Sequence, residues 1–173
     1  MCQFSAHPSR QTLADHIHQP GFYPAGRLDA DSEGLVLLTD DGMLQNRISH
    51  PDHKQAKIYL VQVEGLLNPD ILQQLRGPLD LGDFVTQPCQ ATQVAAPDWL
   101  WPRDPPIRTR ATAPTSWLKM VLKEGKNRQI RRMTAKGGCP TLRLIRIAIG
   151  PYTLADNPLW PGDSCDVDSD LMK

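Results

Sequence analysis

Two segments far apart in the chain alternate residue by residue, and this restricts the architecture more than any other feature. In Lys57–Glu64, Ile58, Leu60 and Gln62 fall on one side and Tyr59, Val61 and Val63 on the other. In Thr141–Ile149, Leu142, Leu144, Arg146 and Ala148 oppose Arg143, Ile145, Ile147 and Ile149. A period of two is that of a β-strand, and both faces carry enough apolar side chains to be covered. At 173 residues the chain can bury such a sheet in one core without a disulfide scaffold.

The remaining pattern predicts short elements around these strands. Residues 11–17 read as a short amphipathic helix stopped by Pro20 and Gly21, 22–28 as a strand that delivers Asp29, and 35–39 as a second strand. Residues 43–49 suit a helix with Leu44 and Ile48 on one face. Asn68 and Pro69 make an N-cap and first-turn proline for a helix over 70–76. Five prolines between Pro97 and Pro114 exclude regular helix, and Trp99 and Trp101 argue for an ordered excursion between two strands. Residues 117–123 read as strand and 124–127 as a turn ending at an N-cap. Gln129–Lys136 reads as a helix stopped by Gly137 and Gly138, and the acidic tail over 156–170 as an edge strand with a frayed end. The fold class expected is α+β: one domain over 1–173, its largely antiparallel mixed sheet in two halves that meet near Asp29, flanked by short helices.

Net charge is zero, but the charges are segregated. Nine basic residues and one acid lie between Lys119 and Arg146, so that segment carries +8 and the remainder, 10 basic against 18 acidic residues, carries −8. A concentrated basic patch suits phosphate, although a solvated helix face would look the same. Cys2, Cys89, Cys139 and Cys165 lack CxxC or metal-ligand spacing, as expected of a reduced, cytoplasmic protein. No apolar run approaches a membrane span, and a monomer is expected.

Residues 26–42, GRLDADSEGLVLLTDDG, hold the most unusual choices in the shortest space. Asp29 ends an apolar stretch and precedes a polar loop and an apolar run, an arrangement that presents a single carboxylate; most aspartates so placed merely cap a turn. Asp29, Asp31, Glu33, Gly34, Val36 and Asp40 also match positions one, three, five, six, eight and twelve of a calcium loop. Pro20, Gly21, Pro24 and Gly26 forbid the entering helix that such a loop needs, which leaves Asp31 and Glu33 as loop residues.

GRLDADSEGL, KIYLVQVEG at 57–65, EGKNRQIRRM at 124–133 and LRLIRIAIG at 142–150 occur in this order over nearly the whole chain. Together they resemble the pseudouridine synthases of the RsuA type, and WLWPRDPPIR and PTSWLKM resemble the RluE branch, which acts on large-subunit ribosomal RNA. The family's first strand, with its Asn-Lys-Pro motif, and the S4-type RNA-binding domain of many relatives are expected to be absent from 1–173; Ala30 stands where that branch often has a basic residue. The resemblance implies isomerisation of uridine to pseudouridine, a reaction that exchanges no atoms or electrons with a second reactant and so calls for neither cofactor nor metal. Asp29 matches the catalytic aspartate, acting on C1′ or on the C2′ proton. Tyr59 matches the tyrosine that packs on the base and helps remove the C5 proton, and Arg131 the basic residue that pairs with the aspartate. Lys57 supports the site or a phosphate, and Leu144 lines the pocket. Lys126, Arg128, Arg132 and Arg27, with the 99–110 excursion, are expected to hold ribosomal RNA. A non-catalytic ribosome-assembly protein using the same surface is the alternative.

Overall fold

The computed structural model describes residues 2–50, 55–107, 113–156 and 158–172. Its strands are β1 (Tyr23–Pro24), β2 (Glu33–Gly34), β3 (Leu38–Thr39), β4 (Lys57–Glu64), β5 (Gln90–Val94), β6 (Thr115–Leu122), β7 (Thr141–Ile149) and β8 (Tyr152–Thr153). Its helices are α1 (Gly42–Ser49), α2 (Pro69–Arg76) and α3 (Gln129–Lys136). The main sheet runs β2-β7-β4-β6-β5, with β8 on β7. Only the β2–β7 pair is parallel among these; β1 and β3 form a separate antiparallel ribbon. The fold is thus α+β with a largely antiparallel sheet.

The alternating residues of β4 and β7 separate as their period requires. Val61, Val63 and Leu144 join Leu118, Met120 and Leu122 of β6 beneath Leu75 of α2 and Ile130 and Met133 of α3. On the opposite face Leu60, Ile145 and Trp117 are covered by Trp101 from the proline-rich excursion. Each such large side chain contributes roughly 1.5–3 kcal/mol when fully buried. Asn68 caps α2 as expected, its Oδ1 accepting from the Ile71 amide at 2.8 Å.

Several expected boundaries move. The helix over 11–17 is reduced to a 3-10 turn at Leu13–Asp15, where the Asp15 carboxylate accepts from the Thr12 amide at 2.6 Å. So few residues cannot offset the cost of helix nucleation. The strand over 22–28 is confined to β1, since Pro24 has no amide to donate and Gly26 turns the chain at φ +86. The 35–39 strand splits: pairing occurs at β2 and at β3, with 35–37 between them. Strand β5 went unforeseen. The tail, among the described residues of 156–170, forms no strand; the edge is β8, and the tail is tied back by the Tyr152 hydroxyl donating to the Asp168 carbonyl at 2.5 Å. No described helix is long and apolar enough to cross a membrane.

Candidate active site

Asp29 lies in the loop between β1 and β2, its side chain 34% exposed. The Ser32 amide donates to the Asp29 carbonyl at 3.0 Å, folding the loop back on itself. Beyond it the chain is pinned at two points. Gly34, at φ +100, lies so close to β7 that a Cβ would stand 2.2 Å from the Arg146 carbonyl oxygen. The Leu35 amide donates to that same carbonyl at 2.8 Å, and Arg146 Nε donates to the Leu35 carbonyl at 2.8 Å. Glu33 takes two parallel hydrogen bonds from Arg143, at 2.9 and 2.8 Å, and a third from the Trp101 indole at 2.8 Å. The Asp29 loop is therefore locked to β7 and to the tryptophan excursion.

The basic side of the site comes from α3. Its N-cap is Arg128, not Asn127, and it sits in the left-handed region at φ 49. That conformation is uncommon for a side chain larger than Asn and costs about 1–2 kcal/mol. Its guanidinium grips both oxygens of Asp31 at 3.0 Å, with Nη1 3.8 Å from the Asp29 carboxylate. Arg131 donates to the Asp31 carbonyl at 2.7 Å and to the Ser32 hydroxyl at 3.3 Å, with Nε 3.5 Å from the Asp31 carboxylate. The expected Arg131–Asp29 ion pair is thus corrected. Arg128 makes the contact with Asp29, while Arg131 grips the loop at Asp31, whose position after the Asp29 turn brings it nearer the helix.

These contacts also correct the reading of Asp31 and Glu33 as plain loop residues. Carboxylates spaced as in a calcium loop are turned to arginines instead. The Arg128 hydrogen bonds hold the Asp31 carboxyl below its ordinary value against the opposing effect of burial, with Arg131 adding to the depression. Burial pulls the Arg131 guanidinium below its ordinary value, against the attraction of Asp31 and, more weakly, Asp29.

Tyr59 and Lys57 project from one face of β4, as their spacing implies. Burial pushes the Tyr59 phenol up; the neighbouring Arg146 guanidinium opposes this, and the Asp29 carboxylate adds to it. Lys57 is pulled down by burial and by the charge of Arg146. Leu144, 6% exposed, belongs to the core against which Tyr59 packs, two residues before Arg146 on the same face of β7. Arg146 itself is 3% exposed and was not foreseen as a site residue. The only signal for it was an arginine among the apolar residues of one side of an alternating strand.

Arg132 turns away from Asp29, as the roughly 100° per helical residue requires, to grip Asp83 and lie 4.9 Å over the Phe84 ring, its side chain still 32% exposed. Lys126 and Arg27 are exposed, with Lys126 Nζ 5.7 Å from the Phe84 ring. Of the 99–110 excursion, Trp99 is exposed and packs against Trp101 at 6.0 Å, whereas 108–110 lie outside the described residues. A cavity of about 1160 Å³ touches Asp29 from the side of the N-terminal segment and the tail; neither Tyr59 nor Arg131 lines it.

A part-exposed carboxylate 3.8 Å from Arg128, with Tyr59 on β4 one strand beyond β7, is the arrangement found after folding. The family model described as RNA pseudouridylate synthase matches residues 5–136. A protein of Xanthomonas axonopodis pv. citri named ribosomal large subunit pseudouridine synthase E is 51% identical over 156 residues, 89% of this chain and 82% of that protein. A Vibrio parahaemolyticus protein of the same name is 48% identical over 162 residues, 94% of this chain and 67% of that protein. A crystal structure of a pseudouridylate synthase superposes with a TM-score of 0.75 at 26% identity, covering 93% of this chain and 64% of that one. Agreement over this much of the sequence settles the family: the chain belongs to the RNA pseudouridylate synthases.

Proposed function

We propose that this chain, acting as one catalytic domain and as a cytoplasmic monomer, isomerises a uridine of large-subunit ribosomal RNA to pseudouridine. The relatives' names supply the substrate class. The observation that carries the reading is Asp29: a part-exposed carboxylate held in a locked loop, 3.8 Å from Arg128 and electrostatically coupled to Arg131 and Tyr59.

In the reaction the N1–C1′ bond breaks, the base turns, C5 bonds to C1′, the C5 proton leaves and N1 gains a proton. Asp29 reaches the sugar, at C1′ as nucleophile or at the C2′ proton as base. Tyr59 stacks on the extruded base, and Leu144 closes the apolar floor beneath it. Lys57, Lys126, Arg128, Arg132 and Arg27 hold the RNA backbone, so affinity falls with salt.

Release of tritium from ribosomal RNA labelled at uridine C5, compared between the parent and Asp29→Asn, tests the reading. Turnover is expected in the parent and none in the variant, with RNA binding retained by both. Equal activity would remove Asp29 from this role, and binding without turnover in the parent would point to an RNA-holding assembly protein.

A further inference from the structure

We propose that Arg146 is a further catalytic residue, donating a hydrogen bond from Nη2 to a carbonyl oxygen of the uracil and stabilising its negative charge while the base is detached from the sugar. The proposal rests on the uridine-isomerisation reading above.

Arg146 is 3% exposed, yet among the described residues it forms no ion pair with a carboxylate. Its Nε is satisfied by the Leu35 carbonyl at 2.8 Å, whereas Nη2 is buried with no hydrogen-bond partner. A buried cation without a counter-charge and with a free donor is costly, and in native proteins such a group calls for an explanation. The nearby titratable groups supply no counter-charge: Lys57 carries the same sign, and Tyr59, whose side chain interacts with the Arg146 guanidinium, is neutral. Arg128 and Arg131, by contrast, are already committed to Asp31.

The backbone places Arg146 deliberately. A register shift between β4 and β7 pairs Ile58 with Ala148 and Tyr59 with Arg146, so Ile147 is the bulged residue. Without the bulge Ile147 would stand across from Tyr59; with it, Arg146 does, on the same face of the sheet. Gly34 presses on the Arg146 backbone from the other side. The donor is therefore held in place before any substrate arrives, which is what makes such a group effective against developing charge.

The chemistry needs it. When N1–C1′ breaks, the bonding electron pair stays with the base, giving a uracil anion with charge spread over N1 and both carbonyl oxygens. The Tyr59 ring can hold the plane of that anion but offers it no positive charge. The anion is consumed when C5 attacks C1′, and the proton lost from C5 balances the one gained at N1.

The test compares Arg146→Met and Arg146→Gln with the parent on ribosomal RNA transcripts made with uridine or with 5-fluorouridine, following loss of the target nucleoside in a single turnover by mass spectrometry. Fluorine withdraws electrons and stabilises the base anion, so the fluorinated substrate needs Arg146 less. The uridine rate should fall about 100-fold or more, with RNA affinity changed less than about threefold. The parent-to-variant ratio should shrink at least about tenfold on 5-fluorouridine. Misfolding lowers both substrates equally in one preparation, so an equal ratio for the two bases overturns the proposal. So does weakened RNA affinity with an unchanged rate, which would make Arg146 a phosphate contact. A parent that converts no uridine, or an active Asp29→Asn, defeats the isomerisation reading itself and this assignment with it.

Discussion

Replacing Gly34 with alanine should damage both stability and activity, and the size of the effect follows from the β2–β7 contact. The new Cβ would lie 2.2 Å from the Arg146 carbonyl oxygen, where ordinary contacts begin at 3.4 Å, so one strand must retreat by about 1 Å. The φ of +100 adds strain of about 1–3 kcal/mol for a residue with a side chain. Retreat also stretches the two hydrogen bonds between Leu35 and Arg146, each worth about 1 kcal/mol net. We expect Gly34→Ala to lose about 3–5 kcal/mol in urea unfolding followed by tryptophan fluorescence. At about 2–4 °C per kcal/mol for a chain of this size, that lowers Tm by about 6–20 °C. Because the same contact sets the position of Asp29, the folded fraction should turn over uridine about 100-fold more slowly. A variant within about 1 kcal/mol of the parent and equally active would show that β2 does not hold the loop.

Glu33→Gln breaks a buried pair, with Glu33 and Arg143 side chains 18% and 8% exposed, while leaving an oxygen for one of its donors; urea unfolding should register a loss of about 2–4 kcal/mol. A loss below about 0.5 kcal/mol would refute its anchoring role. Asp31 has a folded-state pKa below its unfolded one, so its contribution is fully present above the unfolded value near 4 and vanishes as pH falls through the depressed folded value. Since the side chain is 42% exposed, the stability gap between parent and Asp31→Asn should be under about 1 kcal/mol, flat above about pH 5 and narrowing as pH falls below the unfolded value. A gap that widens in acid would contradict the assignment.

The most regular elements were the most legible. Gln129–Lys136 and Thr141–Ile149 were found to the residue, because a glycine stop and a clean alternation are local signals. Strand β5 was missed because its outward residues are Gln90, Thr92 and Gln93, and only Ala91 is buried, leaving almost no apolar period to read. The identities of Asp29 and Tyr59 could be carried over from a motif, but the partnership of Asp29 with Arg128 depends on a left-handed backbone at residue 128 that no residue type advertises. Arg146 escaped for a related reason. Which residue of β7 faces Tyr59 is decided by a bulge, and a bulge belongs to the pairing of two strands rather than to either sequence.

The ion pair between Glu33 and Arg143 joins residues 110 positions apart. At roughly 5–20 residues per second, translation would complete the acidic loop about 6–22 s before the arginine that neutralises it has been made. Closing so long a chain segment is entropically expensive until the sheet between has formed. The Asp29 loop is therefore made well before the strand that anchors it, so a chain still short of β7 would carry the aspartate without the contacts that hold it in place.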